Sequence, residues 1–179
     1  MKISPELRST LRCHGKVRNL ARKTCLLEQG DVSRHAYFVE SGSLRLWYND
    51  NGKDVSVKFF LQQELCASLD SFYREQPSRY GLESLASSVV RIYTKQDISN
   101  FMERSENFRD SVNSAMVHCM ADYQDLFADR ISKSPEDRYQ ALIEQEPEVL
   151  NTVPLHYIAS YLGITPVSLS RIRRKIENT

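Results

Sequence analysis

The spacing of apolar residues along the chain changes once, near residue 95. Between residues 24 and 95, apolar positions alternate with polar ones or form short runs separated by turn residues, which is the spacing of strands. Six or more such segments follow one another, and residues 49–52 supply the turn of a hairpin between segments 44–48 and 55–60. This part is therefore predicted to form a jelly-roll-like β domain, a sandwich or small barrel.

Beyond residue 95 the apolar residues recur at helical spacing. The pattern predicts a short helix over residues 96–104 and a long helix over residues 106–132. One apolar stripe of the long helix consists of Phe108, Val112, Ala115, Cys119 and Leu126. Such a stripe either packs against the β domain or pairs with the same helix of a second copy. About 25 residues at 1.5 Å each give ~40 Å, which exceeds what a small β domain needs and favours a homodimer through this stripe.

A third part begins at Ser134, a helix N-cap that is followed by a proline and two acidic residues. A chain of 179 residues has room for one main core and a small second unit. We therefore predict an α+β fold in three parts. These are a β-roll domain at residues 1–105, a long dimerisation helix at 106–132 and a small helical domain at 133–179.

Residues 151–179 have the pattern of a helix-turn-helix. The apolar face of the first helix follows the spacing i, i+3, i+4 and i+7, with Leu155, Ile158, Ala159 and Leu162. Gly163 ends this helix, Thr165 caps the next one and Pro166 begins it. The second helix has its own apolar stripe, formed by Leu169, Ile172 and Ile176. An αα-hairpin that serves only for packing would share these apolar positions.

The charge of the second helix favours DNA binding over packing alone. The whole chain is nearly balanced, with 24 Lys and Arg against 23 Asp and Glu. Residues 165–179 carry four cations and one acid, which gives +3 (four minus one) on one short helix. Arg171 is the candidate for reading guanine in the major groove. The candidate contacts to the phosphate backbone are Thr165, Ser168, Arg174 and Lys175.

The spacing of cysteines and histidines excludes the common metal and disulfide frameworks. The four cysteines form no C-x-x-C pair, and the four histidines lack metal-ligand spacing. We expect no metal and no cofactor, with a haem held by one His and one Cys as an open alternative. The N-terminal residues lack the apolar segment of a secretion signal, and no run approaches the length of a membrane-spanning helix. These features predict a soluble cytoplasmic protein that does not associate with membranes.

Taken in this order, the three parts resemble the CRP/FNR family of bacterial transcription regulators over essentially the whole chain. The matching segments are LEQGD at 27–31, AYFVESGSLR at 36–45, YIASYLGITP at 157–166 and LSRIR at 169–173. They are similar to the compact branch of the family that is common in Bacteroidetes. The resemblance implies a cyclic-nucleotide-binding-like β-roll, a homodimer through the long helix, and double-stranded promoter DNA as a partner. It also implies RNA polymerase and an unidentified small-molecule effector as further partners.

Two stretches of the β-roll depart from the family's nucleotide-binding pattern. Members that bind cyclic nucleotides hold the phosphate with a Gly-Glu pair and an Arg-Ser/Thr-Ala run. The matching stretches here are CA at residues 66–67 and PSR at residues 77–79. Binding of cyclic AMP is therefore not expected. Ser68, Arg79 and Tyr80 are the candidate pocket for another ligand, with a surface turn as the alternative interpretation.

The second helix of the helix-turn-helix also departs from the family. Val167 stands where an acidic residue is common, so we expect it to contact a thymine methyl instead of accepting from cytosine. The chain ends three residues after Ile176, and we expect no β-hairpin wing.

The leading hypothesis is a dimeric DNA-binding transcription regulator whose β-roll senses a small ligand or none. A ligand-binding or protein-interaction module with a vestigial helix-turn-helix is the alternative. A cupin-like metal enzyme would need two or three histidines and a carboxylate inside the roll, and only His35 lies in the relevant segment. We therefore do not expect an enzyme.

Overall fold

A computed structural model describes residues 3–177, so the first two and last two positions of the predicted domains lie outside the described residues. The N-terminal part is a β-roll with three short helices. Its elements are α1 (Pro5–Cys13), β1 (Lys16–Leu20), β2 (Cys25–Leu27), β3 (His35–Ser41), β4 (Leu44–Asp50), β5 (Lys53–Phe60), β6 (Leu65–Cys66), α2 (Leu69–Arg74), β7 (Gly81–Ser84), β8 (Ser88–Thr94) and α3 (Lys95–Arg104).

The strands form two four-stranded antiparallel sheets, ordered β1-β8-β3-β6 and β2-β7-β4-β5. Apolar side chains from both sheets meet in one core, and these include Val39, Leu44, Leu46, Leu82 and Val90. The predicted jelly-roll-like α+β fold is confirmed. In this N-terminal part, four elements were not predicted from the sequence: α1, β1, β6 and α2. In β1, for example, every residue except the last is exposed, so the strand lacks an apolar alternation.

The hairpin between β4 and β5 has the predicted turn. Asn51 and Gly52 both have positive φ, at 51° and 91°, which is the conformation that these two residue types tolerate best. The Oδ1 atom of Asn49 accepts a hydrogen bond from the Gly52 amide at 2.6 Å. The C-terminal helices pack against the outer face of this hairpin.

The long helix α4 spans Glu106–Ser132 and is capped by Ser105, whose Oγ accepts from the Phe108 amide at 3.2 Å. Its predicted apolar stripe faces its own β-roll. Four of the five residues are at most 6% exposed and share a core with α1, α3 and β3; these are Phe108, Val112, Ala115 and Cys119. The fifth, Leu126, is half-buried farther along α4.

The prediction that this stripe forms the dimer interface is therefore wrong for Phe108, Val112, Ala115 and Cys119. A side chain buried within its own chain cannot also meet a partner. The physical reason lies in α1 and α3, which add a layer of apolar surface that only α4 covers. The other interpretation, packing against the β domain, is the correct one.

The C-terminal part consists of α5 (Pro135–Gln145), α6 (Pro147–Thr152), α7 (Leu155–Leu162) and α8 (Pro166–Glu177). Ser134 and Asp137 form a capping box that begins α5. No strand follows β8 in the part of the chain that the structure describes. The small core of these helices includes two residues of the β-roll, Phe59 and Leu85. The helical part therefore shares its apolar core with the outer surface of the roll.

Within residues 3–177, no helix combines the length and the apolarity that crossing a bilayer requires.

The burial of the α4 stripe predicts a large difference between two identical substitutions. Val112→Ala removes methyl groups from a site that is 5% exposed, and should lower the free energy of unfolding by about 2 kcal/mol. Val17→Ala changes a β1 side chain that is 47% exposed, and should cost less than about 1 kcal/mol. Urea unfolding followed by circular dichroism measures both, and equal losses would contradict the packing described for α4.

Candidate nucleic-acid interface and its junction with the β-roll

Helices α7 and α8 form the predicted helix-turn-helix. Gly163 ends α7 with φ at 72°, in the left-handed region that glycine tolerates. The Oγ1 atom of Thr165 accepts from the Ser168 amide at 3.1 Å, so Thr165 caps α8 as expected. Leu169 is 1% exposed and packs in the same core as Ile158 and Leu162 of α7. Because this side of α8 is buried, its opposite side faces outward.

The structure brings most of the candidate DNA-binding residues to the outward side of α8. Val167 is 62% exposed, and Arg171 and Arg174 are also exposed. Since these three residues lie at steps of four and three, they share one helix face. Ser168 is half-buried, with its hydroxyl 3.0 Å from that of Thr165.

The cations of α8 differ in whether they already have an acidic partner. Lys175 Nζ lies 2.8 Å from Glu136 at the start of α5, and Arg173 pairs with Glu177 at 3.4 Å. Arg171 and Arg174 have no acidic partner among residues 3–177. These two guanidinium groups are therefore available to phosphate or base oxygens without breaking an existing ion pair. The sequence analysis did not foresee the pair of Lys175 with Glu136.

The three candidate pocket residues of the β-roll do not share one surface. Ser68 is 3% exposed and begins α2, and its Oγ accepts from the Ser78 Oγ at 2.8 Å. Arg79 is exposed and Tyr80 is half-buried, and both line an open outer cleft beside Trp47. Ser68 therefore faces the interior while the other two belong to the outer surface.

Hydrogen bonds within the protein satisfy the hydroxyl groups of the segment that includes α2. The Ser71 Oγ accepts from the Ser33 amide at 2.9 Å and donates to the Gln76 carbonyl at 2.5 Å. The Ser78 Oγ accepts from the Tyr80 amide at 3.0 Å. These serine groups are already paired, and a phosphate bound here would have to displace protein partners.

The outer face of the roll carries a buried guanidinium that the sequence analysis missed. Arg45 of β4 is 2% exposed. Its Nε donates to Glu83 of β7 at 2.6 Å, and both terminal nitrogens donate to Asp54 of β5 at 2.6 Å. Burial opposes its charge, but the hydrogen bonds that Arg45 donates to the carboxylates of Asp54 and Glu83 outweigh burial and raise the pKa of Arg45 above its ordinary value. Arg45 therefore remains positively charged in this buried position.

This guanidinium is where α7 meets the sheet. The ring of Tyr157 covers it, with the Arg45 Cζ 3.8 Å from the ring centroid. Ser160 adds two hydrogen bonds to β5, donating from Oγ to the Asp54 carbonyl at 2.9 Å and accepting from the Ser56 amide at 3.0 Å. The first helix of the helix-turn-helix is thus fixed to the β4–β5 hairpin. The signal in the sequence is a pair of aromatic residues on α7, Tyr157 and Tyr161, outside its helix-turn-helix stripe.

The N-terminal part of the chain matches a known domain family. Residues 17–105 match the family model of the cyclic nucleotide-binding domain, and this segment belongs to that family. Among curated proteins, none matches the chain in sequence.

Solved structures extend the likeness over most of the chain. FixK2 from Bradyrhizobium japonicum has a TM-score of 0.79 at 13% identity, over 92% of this chain and 85% of that one. The global regulator CLP of Xanthomonas campestris has a TM-score of 0.73 at 14% identity, over 98% and 92% of the two chains. A protein from Eubacterium rectale, described as a CRP/FNR family transcriptional regulator, has a TM-score of 0.69 at 16% identity, over 98% and 84%. The chain therefore has the fold of the CRP/FNR regulators, and the resemblance to one bacterial branch stays a prediction.

The contacts of Arg45 with Asp54, Glu83 and Tyr157 predict that one substitution at this position causes a large loss of stability. Arg45→Ala leaves Asp54 and Glu83 without their shared cation and uncovers the Tyr157 ring, and should cost about 3 kcal/mol. Arg74→Ala removes an ion pair with Asp70 in which both side chains are about 70% exposed, and should cost less than about 0.5 kcal/mol. Urea unfolding read through Trp47, the single tryptophan, measures both. A loss of under about 1 kcal/mol for Arg45→Ala would show that the junction contributes little.

Proposed function

We propose that this protein is a cytoplasmic transcription regulator that binds double-stranded DNA as a homodimer. The observation that carries the proposal is the division of α8 into two faces. One face is buried against α7 through Leu169, and the other presents Arg171 and Arg174 without acidic partners. A helix used only for packing has no need of unpaired cations on its outer face. Promoter DNA and RNA polymerase are the expected partners, and no enzymatic activity is part of the proposal.

In this proposal α8 lies in the major groove. Arg171, one turn into the helix, donates to the O6 and N7 atoms of guanine, and Val167 contacts a thymine methyl. Thr165 and Ser168 at the start of α8 meet one phosphate, while Arg174 and Lys175 meet others. A DNA phosphate at Lys175 takes the place of Glu136, which is its partner in the free protein.

The homodimer in this proposal uses the opposite face of α4 from the one predicted by the sequence. Four large apolar residues of α4 are 66–72% exposed: Val117, Met120, Phe127 and Ile131. They follow steps of three, seven and four, with Gln124 completing the heptad spacing between Met120 and Phe127. Water contact with this much apolar surface is unfavourable, and the same stripe on a second copy would cover it.

The proposal also holds that the β-roll does not bind cyclic AMP. The argument rests on Ser68 and Ser78, which hydrogen-bond to each other at 2.8 Å and are 3% and 4% exposed. The cyclic phosphate of a nucleotide would need these hydroxyl groups or the nearby amides. CLP is described as responsive to cyclic di-GMP, and the same pairing argues against a nucleotide at this position in the present chain.

Substitution of the base-reading arginine is expected to change sequence preference. Arg171→Ala should weaken binding to the preferred operator by about 1–3 kcal/mol and relax the preference at one base pair of each half-site. Arg174→Ala should weaken binding to all duplexes alike and lower the salt dependence. The operator is selected from random duplexes with the wild-type protein, and affinities are then measured at fixed salt. Unchanged preference in Arg171→Ala, or wild-type binding that is weak and sequence-blind, would favour a vestigial helix-turn-helix.

A charge in the exposed stripe of α4 is expected to prevent dimerisation without unfolding the chain. Phe127→Asp places a carboxylate among the apolar side chains of the proposed interface, where its desolvation is costly. The matched control is Tyr73→Asp on α2, because Tyr73 is a 40% exposed aromatic outside α4. Sedimentation velocity should give a dimer for wild type and Tyr73→Asp and a folded monomer for Phe127→Asp. A wild-type monomer at micromolar concentration, or a dimeric Phe127→Asp variant, would argue against this interface.

A further inference from the structure

We propose that the turn between β1 and β2, which carries Arg22 and Lys23, binds the phosphate backbone of DNA outside the stretch that the helix-turn-helix contacts. This second contact rests on the DNA-binding function proposed above and extends the interface from α8 to the β-roll. Three features support it: an excess of unpaired positive charge, a turn that is firmly held, and the position of this turn beside α7.

The first segment of the β-roll carries a large excess of positive charge. Residues 7–27 contain six cations and no acidic residue, which gives +6 (six minus zero) at neutral pH. The whole chain has a net charge of only +1, so this segment differs sharply from the average of the molecule. The cations are Arg8, Arg12, Lys16, Arg18, Arg22 and Lys23, and all except Arg8 are exposed.

The exposed cations of this segment have no acidic partner among residues 3–177. Two carboxylates of the neighbouring strands are already paired with other cations. Glu40 of β3 pairs with Arg91 of β8, and Glu83 of β7 pairs with Arg45. The positive charge of the segment is therefore available to an anionic partner without the loss of an existing ion pair.

Ser84 of β7 holds the turn that carries Arg22 and Lys23. Its carbonyl accepts from the Lys23 amide at 2.8 Å, and its amide donates to the Thr24 carbonyl at 3.0 Å. Its hydroxyl accepts from the Thr24 amide at 2.9 Å and donates to the Ala21 carbonyl at 2.6 Å. These four hydrogen bonds fix the backbone of the turn, so binding of a partner has to order only side chains.

Lys23 has a backbone conformation that does not favour lysine. Its φ is 63°, in the left-handed region where glycine or asparagine is less strained. Glycine would form the same turn at lower cost, but it would not provide a cation. The strained position therefore supports a role for the charge of Lys23.

The strand that holds the turn also meets the C-terminal helices. Leu85, the residue after Ser84, is 4% exposed and belongs to the core of those helices. Glu83, the residue before it, accepts from Arg45, whose guanidinium lies 3.8 Å from the ring centroid of Tyr157 on α7. The turn is therefore attached to the part of the roll on which α7 rests.

The charge of Arg22 acts on the first turn of α7. Burial raises the pKa of Tyr157, and the positive charge of Arg22 is among the influences that oppose this rise, which requires that the two side chains lie near each other. Leu155 and His156, in the same turn of α7, are exposed. In a helix-turn-helix the first helix crosses the DNA backbone. A backbone that passes the start of α7 would therefore continue onto the β1–β2 turn.

DNA fits this surface better than a membrane or an acidic protein does. Phosphates follow one another along a DNA strand, and the two cations of the turn are continued by Arg18 and Lys16 of β1, ~7 Å apart along the chain. A lipid surface is bound through apolar side chains that enter it, and in residues 16–24, all of which the structure describes, Val17 is the one large exposed apolar residue. The position beside α7 favours DNA over an acidic protein.

The test compares two duplexes that contain the operator selected with the wild-type protein, one with about 2 bp and the other with about 15 bp beyond each half-site. Wild type should bind the long duplex at least about fivefold more tightly, because only that duplex reaches the turn. Arg22→Ala/Lys23→Ala should lose most of this gain and bind the short duplex as the wild type does. On the long duplex, the slope of log affinity against log salt should fall by about two for each chain.

The matched control is Arg34→Ala/Arg104→Ala, which removes two exposed arginines outside the basic segment and outside the C-terminal helices. It should bind both duplexes as the wild type does, and thermal melting verifies that both variants fold. A wild-type gain from the long flanks in Arg22→Ala/Lys23→Ala, or an equal loss in the control, would overturn the second contact and leave the helix-turn-helix proposal intact. Failure of the wild type to select any duplex would overturn the DNA-binding function and the second contact together.

Discussion

The buried guanidinium of Arg45 is the constraint on which the arrangement of the whole chain depends. Taking a charge out of water costs several kcal/mol unless paired groups surround it. Here the partners come from three separate elements, with Asp54 on β5, Glu83 on β7 and Tyr157 on α7. The charge is satisfied only when the hairpin, the neighbouring strand and the helix-turn-helix are all in register. One side chain therefore links the fold of the sheet to the position of α7.

The two faces of the long helix α4 lie in different environments. One face of α4 completes the core of the β-roll, because α1 and α3 cover that core only in part. The other face keeps Phe127 and Ile131 exposed, and nothing within residues 3–177 covers them. A helix of 27 residues has room for both roles. The proposed dimer contact is thus rigidly connected to the interior of the β-roll.

The sequence predicted those parts whose signals are local. Gly163 and Thr165 specify the turn between α7 and α8 by their own backbone and capping preferences, whatever lies around them. The hairpin turn at Asn51 is specified in the same way. Such signals require no knowledge of the rest of the fold.

The parts that the sequence did not predict depend on contacts between distant residues. An apolar stripe of α4 has the same spacing whether it meets a β-roll or a second helix, so Val112 gave no basis for the choice between them. Arg45 lies in a predicted strand whose pattern does not mark it as buried, and its partner Tyr157 is more than a hundred positions away. The candidate pocket residues Ser68, Arg79 and Tyr80 do not lie together. The backbone between Ser68 and Arg79 turns these two side chains to different surfaces.

Because of its shared core, the C-terminal helical part is not an independent unit. Its apolar cluster includes Phe59 and Leu85 from the β-roll, and separation would expose both side chains to water. It would also uncover Arg45 while its carboxylate partners remain on the sheet. Movement of α7 against β5 is therefore costly, and a molecule that changes the fit at this junction changes the position of α8.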